Sequence, residues 1–235
     1  GADEQIMPLI TSANIACGFH GGDPQVMRRT VRLARKHGVA VGAHPGYRDL
    51  AGFGRRPLVC APDEVFADVL YQIGALAAFC RAEGVQLRHV KPHGALYNTA
   101  ASDPATAGAI AGAVAAFDRS LALYAPPGSA LERAGLEAGL RVVREGFADR
   151  GYAADGTLLP RSHPGSVLFD PEVAAAQARQ LACARTVTAH TGEAVPVPAG
   201  TICVHGDHPK AVLLLRRIRE ELAAAGVSVA APHAG

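Results

Sequence analysis

Tryptophan is absent from this 235-residue chain, and aromatic residues make up only 5% of it. Stacking platforms for sugars are therefore scarce, a mild point against a carbohydrate site. Runs of like charge are also missing: 23 lysines and arginines are interspersed with 21 acids, for a formal net charge of +2. That argues against a basic stripe for nucleic acid and against an acidic tail. No apolar run approaches the roughly 18–20 residues that span a bilayer, and no signal-peptide pattern opens the chain, so no membrane partner is expected. The five cysteines (Cys17, Cys60, Cys80, Cys183 and Cys203) are odd in number, scattered, and lack a C-x-x-C pair. They read as buried, reduced thiols of a cytoplasmic protein rather than as disulfides or a zinc knot. Neither G-x-S-x-G, nor a P-loop, nor H-E-x-x-H occurs, which excludes the usual signatures of an autonomous nucleotide-phosphate machine.

What is present is a rhythm of short strand-like runs and longer helix-like ones. The strands are expected in TSANIACG, VAVGAH, QLRHVKPH, LALYAP, RVVREGFAD and TICVHG. Between them, helices are announced by Asp23-Pro24, Pro62, Asp103-Pro104 and Asp170-Pro171, and Gly38 and Gly84 stand just past two helix ends. A last amphipathic helix follows His208-Pro209, with Val212, Leu215 and Ile218 on its apolar face. Such alternation predicts an α/β fold with a mostly parallel sheet. Two short runs around Thr191-Gly192-Glu193 predict a small inserted β-hairpin. With no linker or composition break, residues 1–235 are expected to be one domain. Polar ladders on single strand faces, such as Ser12, Asn14 and His20 or His89, Lys91 and His93, favour a (β/α) TIM-like barrel over an open sheet.

Four histidines, His20, His44, His93 and His205, end strands or sit just past them, each followed by its own loop: HGGDP, AHPGY, HGALYN and HGDHP. Imidazole suits both proton transfer near neutral pH and metal ligation. Asp23 reads both as a helix cap and as an orienting group for a histidine. Lys91 is costly inside a barrel unless it pairs with Glu145 or Asp149 or holds an anion. Tyr97 and Asn98 follow His93 in the next turn. Gly52–Pro57, GFGRRP, lacks the third glycine of a dinucleotide loop and follows no strand. Arg55 and Arg56 either clamp a carboxylate or phosphate or face solvent. Asp149 and Arg150 carry the same ambiguity. Asn14 and Asp207 complete the polar set, and Asp207-His208-Pro209 reads as a helix start.

Together, ANIACGFHGGDP, VGAHPGYRDLAGFGRR, HVKPHGALYN, EGFADRGY and CVHGD resemble the LamB/YcsF family, in the family's order and over nearly the whole chain. The resemblance implies a seven-stranded (β/α) barrel related to the glycoside hydrolase/deacetylase fold. It implies a bacterial 5-oxoprolinase activity: ATP-dependent ring opening of 5-oxo-L-proline to L-glutamate, with two other subunits, B and C, that use the ATP. His20 or His93 would then be the general base, with Asp23 orienting a histidine. Lys91, Arg55 or Arg150 would hold the phosphate or substrate carboxylate, and His44 and His205 would complete the rim. Family members open on a strand resembling D-L-N-x-D-x-G-E, and these residues begin downstream of it. A divalent metal is left open as a cofactor. One rival expectation is a metal-dependent deacetylase or hydrolase acting alone on a sugar derivative, with His20, His44 and an acid on the ion. A non-catalytic scaffold is the other.

Overall fold

The computed structural model describes residues 2–232. The described residues form eight strands and eight α-helices. Six of the strands form one sheet in the order β1-β2-β3-β4-β5-β8, the α/β arrangement expected from the alternation. Its contacts divide the chain into two compact units, residues 11–143 and residues 2–10 with 144–232.

In the larger unit, β1 (Ser12–Ala16), β2 (Ala40–His44), β3 (Leu87–Val90) and β4 (Ala122–Ala125) pair in parallel with their sequence neighbours. Asp23 sits before α2 (Pro24–His37), its carboxylate accepting from the Val26 N–H at 2.8 Å, and Gly38 leaves the helix at φ 66°. This is the Asp-Pro entry and Gly exit that capping chemistry favours. Helix α3 (Pro62–Ala82) opens with the Glu64 carboxylate accepting from Ala61 N, at 2.8 Å. It is long and apolar enough to meet a length-and-composition criterion for a membrane span, which corrects the expectation that no run approaches that length. Its buried residues Val65, Val69, Gln72, Ile73, Leu76 and Cys80 recur at helical spacing, so one face packs on protein. Gly94–Ser102 forms a further helix, α4, where only a turn was expected. Asp103 then caps α5 (Pro104–Phe117) by accepting from Thr106 N at 2.9 Å. Helix α6 (Ala130–Glu137) precedes β5 (Arg141–Phe147).

The smaller unit holds α1 (Asp3–Ile6), the end of β5, α7 (Pro171–Arg179), β6 (Thr186–Thr188), β7 (Ala194–Pro196), β8 (Thr201–Cys203) and α8 (Ala211–Ala224). Strands β5 and β8 are parallel, whereas β6 and β7 form a separate antiparallel pair. Alanines 174, 175 and 178 of α7 lie against Leu214, Ile218 and Leu222 of α8, small residues that let the helices approach closely. Helix α8 starts three residues after His208, later than expected, and the His208 ring is buried instead. All five cysteines are free. Only Cys17 and Cys80 are buried, so the expectation of five buried thiols fails for Cys60, Cys183 and Cys203. Burial pushes the Cys17 thiol up to about 12 and Cys80 to about 11, which leaves both unreactive near neutral pH.

Candidate active site

Parallel pairing of β1, β2 and β3 brings their C-terminal ends together. Ala16 lies opposite His44, the Lys91 N–H donates to Ala43 O at 2.9 Å, and the His93 N–H donates to Pro45 O at 2.7 Å. His20, His44 and His93 consequently converge in the larger unit. His20 stacks on His93 with ring centroids 3.8 Å apart and planes 3° from parallel, and His44 stands edge-on to both. One potential ligand atom from each of the three lies within 4.8 Å of the others.

Backbone carbonyls fix two of these rings. His44 Nδ1 lies 2.6 Å from Lys91 O, and His93 Nε2 lies 2.7 Å from Phe53 O. His93 Nδ1 and His44 Nε2 then face each other at 3.0 Å. Phe53 presents its carbonyl from a left-handed backbone at φ 54°, a conformation that costs a bulky residue about 1–3 kcal/mol unless its surroundings enforce it. The enforcing contacts are visible. Gly54 N donates to Asp49 O at 2.8 Å, Ala95 N donates to Gly54 O at 2.9 Å, and Asp49 is gripped by Arg56 and by the Gly52 N–H. That Arg56 hydrogen bond holds the Asp49 carboxyl down at about 2. Gly46 and Gly54 are required by crowding: a Cβ on Gly46 would sit 2.6 Å from His20 Nδ1, and one on Gly54 2.8 Å from His93 Cδ2.

Burial disfavours the charged form of every imidazole here. It holds His20 down at about 4, with the Arg55 guanidinium adding to the effect. His93 lies at about 3, again by burial first and the neighbouring His20 second, and His44 lies well below 6.5 for the same reasons. All three rings are therefore neutral at pH 7, able to accept a proton or to ligate a metal. His20 Nδ1 is buried and has no hydrogen-bond partner among the described residues. Lys91 is 4% exposed, with its ammonium 5.7 Å from the Tyr97 ring centroid. Arg55 lies 5.0 Å from the Phe53 ring.

Beneath this cluster a second pair spans three strands. His89 Nε2 lies 2.9 Å from Asn14 Oδ1, reaching across Gly42, which is the register partner of both residues. The imidazole, held by burial at about 3, stacks on Tyr124. On the smaller unit, both the backbone N–H and the Nδ1 of His205 donate to Asp149, at 2.8 and 2.9 Å. Burial alone would raise the Asp149 carboxyl, but the His205 hydrogen bond and charge outweigh it and leave it below its ordinary value.

This histidine cluster sits on a chain whose residues 1–234 match the model of the LamB/YcsF family. The chain belongs to the LamB/YcsF family. Within it, this chain is 82% identical over 234 residues to the A subunit of a 5-oxoprolinase from Symbiobacterium thermophilum, covering 100% of this chain and 90% of that protein. It is 58% identical over 231 residues to the corresponding 5-oxoprolinase component of Methylococcus capsulatus, covering 98% and 89%. A crystal structure of a lactam utilization protein from Thermus thermophilus superposes with a TM-score of 0.93 at 54% identity, covering 99% of this chain and 93% of that one.

Of the residues anticipated for a LamB/YcsF site, His20, His44, Lys91, His93, Arg55 and Tyr97 gather on the larger unit. Asn14 engages His89 rather than an open face. Asp23 is exposed and caps α2, and Asn98 lies on the exposed side of α4. On the smaller unit Asp149 is committed to His205, while Glu145 is buried on β5. Arg150 donates to Ser166 O at 2.8 Å and to Leu159 O at 2.6 Å, a framework role for the guanidinium. Asp207 is exposed. Arg56 does not face solvent alone; it pairs with Asp49.

Sequence reasoning missed Phe53, Asp49, Gln72 and the His89–Asn14 pair. Gln72 exchanges two 2.9 Å hydrogen bonds with the backbone of Gly46, next to His44 and His20. Its signal was available as a lone amide inside an apolar helical stripe. Phe53 had none, since its contribution is a main-chain carbonyl.

Proposed function

We propose that this chain acts as the A subunit of a 5-oxoprolinase. The enzyme would be a hydrolase that opens the cyclic amide of 5-oxo-L-proline to L-glutamate with ATP and two partner subunits, B and C. The observation that carries this reading is 82% identity, along the whole chain, to a protein of that name. The Thermus protein is named for lactam utilization, which supports the substrate class. The seven-stranded barrel and cytoplasmic location implied by the family resemblance belong to the same reading.

Amide resonance makes the lactam carbonyl a poor electrophile. Phosphorylation of its oxygen by the partners activates the carbon: one water adds to it, the ring C–N bond breaks with the nitrogen taking a proton to leave an acyl phosphate, and a second water displaces phosphate to give the carboxylate. The chain must position the water, take its proton and hold anionic oxygens. His20 is the base in this scheme. Both nitrogens of His93 are engaged, whereas His20 Nδ1 is not. An imidazole held at about 4 is a weak base, but an anionic phosphate beside it favours the charged form and raises it toward the working pH. Lys91 and Arg55 are the cations that hold the anion in this scheme, and on the smaller unit Asp149 keeps His205 in a single tautomer.

The test is release of L-glutamate from 5-oxo-L-proline by the chain with its two partner subunits. Turnover that needs ATP and all three components is expected. A second reading, a metal-dependent deacetylase acting alone, draws on the three-histidine cluster. ATP-independent hydrolysis by the isolated chain would favour it and overturn the first.

A further inference from the structure

Helix α2 carries five cations, Arg28, Arg29, Arg32, Arg35 and Lys36, and no acid. At 3.6 residues per turn their positions fall within an arc of about 120°, and all five are exposed. Acids and bases are interspersed along the chain as a whole, and the helix gathers these five on one face. The helix dipole favours the cations of the last turn, Arg35 and Lys36. Its influence ends within a turn of either end, so it offers no reason for Arg28, Arg29 and Arg32.

One carboxylate answers them. Glu83, just past the end of α3, is buried. Arg28 Nε donates to its Oε1 at 2.6 Å, Arg32 Nε donates to Oε2 at 2.9 Å, and Arg35 Nη1 donates to the Glu83 carbonyl at 2.7 Å. In Arg28 and Arg32 these bonds use Nε alone. Their terminal nitrogens have no hydrogen-bond partner among the described residues, and the two side chains are 54% and 53% exposed. Glu83 therefore fixes two guanidiniums side by side while neutralising one charge of five. An arginine already held by its Nε loses less rotamer freedom on meeting a second carboxylate, which its planar fork fits.

Nucleic-acid phosphates and protein carboxylates are the two chemistries that answer such a face. Helix α2 has no aromatic residue on which a base could stack. Its cations span residues 28–36, about 12 Å of helix axis, a patch rather than a groove that tracks a phosphate backbone. We infer that this face of α2 docks an acidic surface of a partner subunit. Asp and Glu carboxylates of that surface take the uncommitted guanidinium edges of Arg28 and Arg32, and the charges of Arg29 and Lys36 flank them. The inference rests on the reading of this chain as one subunit of an assembly.

The experiment immobilises the full chain and measures binding of the two partner subunits, singly and together, at about 0.1 M and about 1 M salt. Wild-type binding tests the subunit reading, and the variants test the face. Arg29→Glu/Lys36→Glu leaves the Glu83 bonds in place, and circular dichroism verifies that it folds. It should weaken binding more than about 10-fold at the lower salt, with the difference shrinking at the higher, because exposed charges are screened. Arg141→Glu/Arg216→Glu, an equal charge change at exposed positions of β5 and α8, should leave binding unchanged. Wild-type binding that both double variants leave intact, or weaken equally, would overturn the inference and spare the subunit reading. Absence of wild-type binding would remove both. Duplex DNA retained by the wild type but not by Arg29→Glu/Lys36→Glu, with subunit binding unchanged, would reassign the face to nucleic acid.

Discussion

Replacing Gly42 by alanine tests how the strands position the polar cluster. A Cβ at residue 42 would lie 2.0 Å from His89 Nε2, 2.2 Å from Cδ2 and 2.4 Å from Cε1. The ring cannot remain, because these are far inside van der Waals contact. Displacing it abandons the 2.9 Å bond to Asn14 and the 4.2 Å stack on Tyr124. Overpacking costs about 1–3 kcal/mol, and leaving buried polar groups unpaired costs about 1–3 kcal/mol more. A total of about 2–6 kcal/mol lowers the melting temperature by roughly 4–24 °C for a chain of this size. The assay is thermal unfolding of Gly42→Ala, His89→Ala and the double variant. Since His89→Ala removes the ring that collides, the second substitution should cost far less in that background. A coupling energy of at least about 2 kcal/mol is expected from the cycle. A Gly42→Ala protein that melts within about 2 °C of the wild type, or strictly additive effects, would refute the placement of His89 across β2.

The histidine cluster should also make stability depend on pH. His20 falls from 6.5 to about 4 on folding and His93 to about 3, so between those values the unfolded chain binds more protons. Stability is full above about 6.5 and is lost as pH falls toward 4. Melting curves across that window should show the decline, and His93→Gln should flatten it. Asp49, lowered from 3.8 to about 2, stabilises throughout that window, and its contribution is lost only as pH falls below about 3.8. Gln72→Leu removes both bonds to Gly46 and leaves that buried peptide unpaired. A loss of about 2–4 kcal/mol by denaturant titration is expected, with a stability change under about 1 kcal/mol counting against this role.

Much of the architecture could be read from local chemistry. Asp23-Pro24 and Asp103-Pro104 each announced a helix, because a carboxylate at the cap accepts from orphan N–H groups of the first turn and a proline at its first position has no N–H to leave orphaned. Helix α4 escaped notice because His93 offers no side-chain cap, and the segment runs straight into the Asp103-Pro104 start of α5. The strand-end histidines were legible from period-two alternation, and their convergence follows from parallel pairing alone. Their partners were not. The His89–Asn14 bond joins residues 75 apart and depends on a register shift between Val41 and Gly42 that no local pattern encodes. His205 and Asp149 could be placed at strand ends, but their union across 56 residues is tertiary information. Phe53 acts through a carbonyl in a left-handed conformation, which side-chain chemistry cannot announce.

The most direct measurement is glutamate production from 5-oxo-L-proline with ATP by the proposed assembly of this chain and two partner subunits, comparing the wild-type chain with His20→Gln. With His20 as the proton acceptor, kcat should fall by about 10²–10⁴-fold while the assembly forms and the variant keeps its melting temperature within a few degrees. Undiminished turnover by His20→Gln in the intact assembly would contradict that role and the site built around it.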